Sequence, residues 1–154
     1  VTLKSNLLHG LGLTQSSVYL SRFAGDRVNK DNELGISVTL LPNFTAAELS
    51  SPQAPLAEMA TDVDLGAFNG KSKLKGIVLL ANKGQSPLEI KMLQVYNPGL
   101  SVSLPKTTLR PGETTEMKIV VSTAVDRFRG SRKVLLITND PRHPKILVNV
   151  ITKK

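Results

Sequence analysis

The chain has 154 residues, of which 40% are hydrophobic, 4% are aromatic and none is cysteine. This length suits one ordinary domain, or one small domain with a fragment of another. The absence of cysteine excludes disulfides, thiolate nucleophiles and cysteine-ligated zinc, and the scarcity of aromatic residues argues against an aromatic nucleic-acid platform or a carbohydrate cleft.

The net charge of +8 is distributed unevenly along the chain. Residues 1–66 carry four Lys or Arg and seven Asp or Glu, whereas residues 67–154 carry sixteen and five. The basic second half could meet nucleic acid, anionic lipid or an acidic protein, and the simpler interpretation is a solvated, lysine-rich surface. No run of about eighteen apolar residues predicts a transmembrane segment. No signal peptide is visible, although a leader could have preceded Val1.

The first 42 residues resemble the end of the chain. Two runs, residues 17–23 and 35–41, alternate as strands do. Residues 1–5, Gly12, 18–21 and 36–40 follow the same order as residues 119–123, Gly130, 134–137 and 146–150. We therefore expect residues 1–42 to be the last three strands of a preceding immunoglobulin-like repeat. Such a fragment exposes sheet edges, so we expect it to pack on the next domain, or to self-associate or be completed by strands from another molecule.

Residues 43–57 are predicted to be a linker that contains a short helical turn. Thr45 and Glu48 have the spacing of a capping box, in which each side chain satisfies a free backbone N–H group at a helix start. Pro52 and Pro55 then end the turn.

Residues 58–154 read as an all-β, immunoglobulin-like sandwich. The predicted strands are residues 62–68, 74–81, 88–96, 100–104, 115–122, 134–138 and 146–150. The last two alternate apolar and polar residues in the way that a half-buried strand requires. About seven short strands separated by turn-forming residues are typical of this fold class.

Three turns lie between these strands. We predict that Asn82 and Gly84 shape a turn in which Gly84 tolerates a positive φ, and that Pro111-Gly112 forms a tight reversal. Residues 139–144 join the last two strands, and the side chains of Asn139 and Asp140 can accept hydrogen bonds from nearby backbone amides.

Four motifs in order resemble one bacterial family. They are Leu65-Gly66-Ala67-Phe68, then Ala81-Asn82-Lys83-Gly84 through Pro87-Leu88-Glu89-Ile90, then Leu109-Arg110-Pro111-Gly112-Glu113, then Thr138-Asn139-Asp140-Pro141 with Pro144. Together they resemble the domain-of-unknown-function family fifteen-seventy-three, which belongs with the ASH and major-sperm-protein-like immunoglobulin folds. The resemblance covers roughly residues 58–154. It implies architecture and no catalysis. Members often carry a small cysteine-containing stretch after the third strand, where this chain has residues 96–100 instead.

No set of residues predicts an enzyme, a cofactor or a metal site. A metal site needs several converging ligands, whereas His9 is a single histidine and His143 beside Asp140 offers at most a partial set. Asp62 and Asp64 share one face of a strand, as a catalytic pair could, but no basic or nucleophilic partner is recognisable near them, so a solvated face is the simpler interpretation.

Two clusters are candidate interaction surfaces. In the first, Lys71, Lys73 and Lys75 alternate and project from one face, and continuing this parity places Ile77 and Leu79 outside the core. The second is a basic cluster around a glycine turn, formed by Arg127, Arg129, Arg132 and Lys133. Ordinary loop packing over the first cluster and solvation of the second are the simpler alternatives, and edge lysines also protect against sheet aggregation.

The sequence therefore favours a non-enzymatic protein-interaction or scaffold module, one of a tandem series in a bacterial envelope or secreted protein. The expected location is periplasmic, cell-surface or secreted. The alternative is a basic surface that binds nucleic acid or another anionic polymer. A hydrolase with a composite site between domains is the least favoured hypothesis.

Overall fold

The computed structural model describes residues 10–123 and 132–153. Within them the strands are β1 (Gly12–Tyr19), β2 (Glu33–Leu40), β3 (Ala57–Met59), β4 (Asp62–Ala67), β5 (Lys73–Asn82), β6 (Leu88–Val95), β7 (Leu100–Ser103), β8 (Thr108–Leu109), β9 (Thr114–Ser122), β10 (Arg132–Thr138) and β11 (Lys145–Lys153). The α-helix α1 (Ala46–Ser50) and the 3-10 turn Lys30–Asn32 interrupt them. No helix of the described residues is long and apolar enough to cross a membrane.

Two sheets pack face to face. The four-stranded sheet has the order β3-β5-β9-β7, and the five-stranded sheet has the order β4-β11-β10-β6-β8. All the ladders are antiparallel except that of β4 with β11. This arrangement confirms the predicted all-β sandwich. The sequence prediction missed β3 and β8, because strands of three and two residues are too short to show alternation.

The core lies between the two sheets. Its fully buried members come from both inner faces, and they include Leu80, Leu88, Leu109, Met117, Ile119, Val121, Val134, Leu136 and Val148. Burying each such side chain stabilises the fold by about 1.5–3 kcal/mol. The alternating residues that predicted β5 and β9 therefore face this core and the outer surface in turn.

Strand β10 is buried on both faces, whereas the sequence predicted a half-buried strand. Val134 and Leu136 face the core, yet Leu135 and Ile137 on the opposite face are also fully buried. On that side β1 lies against β6 and β10. The β1–β2 hairpin thus packs on the outer face of the five-stranded sheet.

Gln94 of β6 holds the hairpin in place. Its Oε1 accepts a hydrogen bond from the Leu13 N–H at 2.7 Å, and its Nε2 donates to the Leu13 carbonyl at 3.3 Å. Gly12 has a φ of 100°, which L side chains rarely adopt, and a Cβ there would lie 2.3 Å from Gln94 Oε1, so glycine suits this approach. The side-chain amide of Gln94 therefore bonds both backbone groups of Leu13, as a neighbouring strand would.

The structure corrects the details predicted for the first segment. The strand predicted at residues 17–23 is β1, which begins at Gly12, where φ is 100°. In the repeat comparison Val18 corresponds to Val134, but Val18 pairs with Leu34, whereas Val134 pairs with Val148. This register differs by four residues from the one implied by the comparison. The strand expected at residues 1–5 lies outside the described residues.

The linker contains the expected capping box. Thr45 Oγ1 accepts a hydrogen bond from the Glu48 N–H at 3.3 Å, and Glu48 Oε2 accepts one from the Thr45 N–H at 2.8 Å. These two bonds begin α1, which ends before Ser51.

Two buried polar side chains tie the end of the linker to the sandwich. Asn82 donates to the carbonyls of Ser86 and Leu109, and its Oδ1 accepts from Gly84 and Leu56. The Asp140 carboxylate accepts from the backbone N–H groups of Ala57 and Arg142 at 2.9 and 2.8 Å. The expectation that Asp140 would accept from backbone amides is confirmed, although Ala57 lies 83 residues away.

Gly84 corrects the expected turn chemistry. Its φ is not among the positive values, whereas the φ of Gly112 is 77°, as a tight reversal after Pro111 requires. A Cβ at Gly84 would lie 2.4 Å from the Ala54 carbonyl oxygen and 2.4 Å from the Leu56 nitrogen. Gly84 is therefore required by close backbone approach, not by a left-handed conformation.

Candidate interaction surface

Strand β5 presents one apolar face to the core and one mixed face to solvent. Leu74, Val78 and Leu80 are buried. Lys73 and Lys75 point outward and are exposed, and the same parity continues to Ile77 and Leu79, which are 57% and 58% exposed. Large apolar side chains exposed to this degree, next to each other on a sheet, form an apolar surface patch whose contact with water is unfavourable.

The neighbouring strand β9 completes this face. In the β5–β9 ladder Lys118 lies opposite Ile77, Glu116 lies opposite Leu79, and Val120 lies opposite Lys75. We call Lys73, Lys75, Ile77, Leu79 and Lys118 the outer patch. It is an apolar pair with Lys118 beside Ile77 and two lysines towards the start of β5, and the exposed Glu116 lies beside Leu79.

A groove runs alongside the outer patch. It has a volume of about 500 Å³, and Ile77 and Leu79 form part of one wall. Its remaining lining residues are Glu58, Met59, Ala60, Asp62, Val63, Val78, Ala81, Lys83 and Thr114. Most of these come from β3, from the start of β4 and from the crossover between them, so residues distant in sequence form the groove. Sequence reasoning missed it because no local pattern reports where β3 leaves the sheet.

Lys71 lies outside β5, in the turn that precedes it. Its N–H donates to the Phe68 carbonyl at 2.8 Å, and Asn69 and Gly70 between them have φ values of 46° and 80°. These values are typical of a type I′ turn, for which Asn-Gly is the favoured pair. Lys71 is exposed, but it does not continue the strand face.

The second predicted cluster does not form a surface in the described residues. Arg127 and Arg129 lie outside them. Arg132 is buried, with 5% of its surface exposed, and its Nη1 donates to Thr152 Oγ1 at 3.0 Å. Lys133 is half-buried, and its backbone N–H donates to Asn97 Oδ1 at 2.8 Å. Arg132 was therefore wrong as an exposed partner site, because it begins a strand that is covered on both faces.

The acidic pair on β4 forms polar contacts with β11. Asp62 Oδ1 accepts from Asn149 Nδ2 at 2.9 Å, and Asp64 Oδ2 lies 3.2 Å from Lys153 Nζ. The Gly66 N–H and the Lys153 ammonium group lower the pKa of the exposed Asp64 carboxyl. A carboxylate held ionised in this way forms a polar contact between β4 and β11. It is unsuited to act as a general acid at neutral pH.

His143 contacts one buried acid. Its Nδ1 lies 2.9 Å from Asp140 Oδ2, which also accepts from the Ala57 N–H. In residues 10–123 and 132–153, no group of three or more His, Asp or Glu side chains is arranged to hold a metal ion. His9 lies outside these ranges.

Two solved structures share the fold. A protein of unknown function from Porphyromonas gingivalis W83 has a TM-score of 0.70 and 23% identity, with 94% of this chain and 67% of that chain covered. The VesB protease of Vibrio cholerae has a TM-score of 0.53 and 15% identity, with 70% of this chain and 33% of that chain covered. At these identities the matches show the fold alone. No curated protein matches the sequence.

A family profile matches the sandwich. Residues 55–151 match the HYDIN/CFA65/VesB-like, Ig-like domain, from the end of the linker to the last strand. This match covers more than half of the chain, and it agrees with the immunoglobulin-like fold that the four motifs predicted. The P. gingivalis match covers more of the chain than these residues, so the likeness in fold extends into the N-terminal segment. The chain belongs to the HYDIN/CFA65/VesB-like, Ig-like domain family.

Proposed function

We propose that this chain is a non-enzymatic protein-interaction module of a bacterial envelope or secreted protein, and that it binds its partner through the outer patch. The observation that carries the proposal is the pair Ile77 and Leu79, both more than half exposed beside a groove. Exposed apolar side chains that line a groove and have charged neighbours are typical of protein contact sites.

The chemistry of the remaining titratable groups supports a binding role. Asp62 and Asp64 are engaged with β11, and Asp140 accepts hydrogen bonds from the backbone. VesB appears in the family name and is a protease by its own name, but this chain spans only 33% of VesB. Proteolysis therefore does not enter the proposal. The finer resemblance to family fifteen-seventy-three, the tandem arrangement and association through residues 1–42 stay predictions.

The alternative is an anionic polymer as ligand. Lys73, Lys75 and Lys118 share the outer face, so a nucleic acid could follow this row of positive charge. Ile77 and Leu79 lie between the lysines and the acidic residues of the groove. This apolar pair favours a protein ligand, because contacts with phosphate gain nothing from Ile77 and Leu79.

Site-specific photo-crosslinking tests the proposal. A photoreactive residue replaces Leu79 in one variant and exposed Lys145 on β11 in the control, and both are expressed in the source cells. We expect one protein to crosslink from position 79 and not from position 145. The complex should survive about 0.5 M salt and nuclease, and Ile77→Ser should abolish it.

Two results would contradict the proposal. Equal crosslinking from both positions would show that the outer patch is not the contact surface. Binding that disappears with nuclease and falls steeply with added salt would favour the nucleic-acid alternative.

A further inference from the structure

One edge of β5 is open along most of its length. Strand β9 pairs with β5 from Lys73 to Ala81 on one side. On the other side β3 pairs only with residues 80–82 and ends at Met59. Within the described residues, the stretch from Lys73 to Leu79 therefore has no neighbouring strand on this side.

Three hydrogen bonds at the ends of β5 show which way its backbone groups point. The Ser72 carbonyl accepts from the Thr123 N–H at 3.0 Å, the Asn82 N–H donates to the Glu113 carbonyl at 2.9 Å, and the Lys83 N–H donates to the Leu56 carbonyl at 2.8 Å. Even-numbered residues thus direct their N–H and C=O groups towards β9, and odd-numbered residues direct theirs towards β3. The N–H and C=O groups of residues 73, 75, 77 and 79 therefore face the open edge.

The side chains around this edge suit an added strand. The residues whose backbone groups face the edge are also those of the outer patch, so backbone pairing and side-chain contact would occur together. Beneath the edge, Leu65 of β4 covers Gly76, where an added Cβ would lie 2.3 Å from Leu65 Cδ2. The groove of about 500 Å³ lies between the edge and the start of β4. An incoming strand would meet a formed apolar floor.

We infer that β5 accepts an extended segment of a partner protein as an antiparallel edge strand, with apolar residues opposite Ile77 and Leu79 and acidic residues opposite Lys73 and Lys75. This inference rests on the proposed function and specifies the partner's chemistry. Cross-strand neighbours of opposite charge stabilise a sheet, and alternate side chains give such recognition its specificity.

The orientation of β3 indicates the chain direction of the added strand. That strand runs antiparallel to β5 and leaves the edge at Met59, so an antiparallel segment would continue its line from Leu79 towards Lys73. Antiparallel pairing is also slightly more stable per residue than parallel pairing.

A second copy of this chain fits the edge less well. Pairing two β5 edges antiparallel about Gly76 would place Lys73 opposite Leu79 and Lys75 opposite Ile77. Each chain also carries a net charge of +8, which opposes association. An acidic, extended partner removes both problems.

Backbone methylation of a peptide tests the inference directly. The probe is a fluorescent heptapeptide with the sequence valine-threonine-isoleucine-threonine-glutamate-serine-glutamate, and binding to the full chain is followed by anisotropy. Its odd-numbered residues would lie opposite residues 79, 77, 75 and 73. We expect N-methylation of the isoleucine and the first glutamate to weaken binding at least about tenfold, because both amides would face β5. N-methylation of the two threonines should change the affinity by less than about twofold, since these amides would face solvent.

Charge-matched variants test the role of the lysines. Lys73→Glu with Lys75→Glu should weaken binding of the probe at least about tenfold. Lys91→Glu with Lys145→Glu gives the same change in net charge on the other sheet and should leave the affinity within about twofold. Equal losses in both pairs would overturn the inference in favour of non-specific attraction.

The remaining outcomes separate this inference from the proposed function. A partner that still crosslinks at position 79, with a probe indifferent to the methylation pattern, would overturn the edge-strand inference and leave the interaction module standing. A dimer in sedimentation that Ile77→Lys abolishes would overturn the partner's identity in favour of a second copy. No crosslinked partner, together with methylation-sensitive binding of the probe, would support the edge while removing support for the wider function.

Discussion

Asp140 should be a sensitive polar position outside the apolar core. Its side chain is fully buried, and its two carboxylate oxygens accept hydrogen bonds from Ala57, Arg142 and the imidazole of His143. Asp140→Asn keeps the shape of the side chain but leaves only one oxygen atom that can accept hydrogen bonds. In the better orientation the amide oxygen serves Ala57 and His143, and the amide NH₂ then faces the Arg142 N–H.

The expected cost follows from these contacts. Hydrogen bonds to a charged acceptor are each worth about 1.5–3 kcal/mol, and a buried donor left without an acceptor costs about 1–3 kcal/mol. Arg142 is exposed, so water can offset part of the lost bond. We therefore expect Asp140→Asn to lower the free energy of unfolding by about 2 kcal/mol, which is a fall in Tm of about 6 °C for a chain of 154 residues.

Urea denaturation followed by circular dichroism measures this change. The midpoint should fall with an unchanged slope, because the same surface is exposed on unfolding. Asp62→Asn is the matched control, since Asp62 is exposed and should change stability by less than about 0.5 kcal/mol. A loss below about 0.5 kcal/mol for Asp140→Asn would refute the view that this carboxylate ties the linker to the sandwich.

Three further predictions concern the hairpin, the linker and β4. Gln94→Ala removes both bonds to the hairpin, so amide exchange in β1 and β2 should accelerate by about tenfold while exchange in the sandwich core stays unchanged. Gly84→Ala should destabilise the domain by about 2 kcal/mol or more in the same urea assay, because the added methyl would meet backbone atoms at 2.4 Å. The Gly66 N–H and Lys153 lower the pKa of Asp64, so this carboxylate stabilises the fold above its ordinary pKa, and the contribution is lost as pH falls through the lowered pKa. An NMR titration should therefore place the pKa of Asp64 below that of an unperturbed Asp, and Lys153→Met should raise it.

Each of these has a contrary result. Uniform acceleration of exchange in the Gln94 variant would mean that the hairpin and the sandwich unfold together. A stable Gly84→Ala protein would mean that the linker backbone shifts easily, and an Asp64 pKa unaffected by Lys153→Met would leave the Gly66 N–H as the sole cause.

The sandwich was predictable because its strands obey a local rule. Leu74, Val78 and Leu80 are buried, whereas Lys73 and Lys75 are exposed, so period-two alternation alone reports which face of β5 is inside. The exposure of Ile77 and Leu79 follows from the same parity. The capping box was predictable for a similar reason, since its two partners lie three residues apart.

Other features could not be read from local patterns. In β6, Ile90 and Leu93 both contact the core, because the register shifts where β6 pairs with Ile137 and Thr138. Arg132 was predicted to lie in a basic surface cluster, but its side chain is buried. The close approach that requires Gly84 involves linker atoms about thirty residues away, and Gly permits such contact as well as positive φ.

The amino-acid sequence by itself determined the all-β class, the strand faces and the turns, because these depend on the spacing of apolar and turn-forming residues along a few neighbouring positions. Only the tertiary structure decided that the hairpin covers β10 and that β3 leaves β5 at Met59, opening an edge beside Ile77. Both depend on which distant strands compete for the same backbone hydrogen bonds and apolar surface, and this competition is resolved only when the whole chain packs.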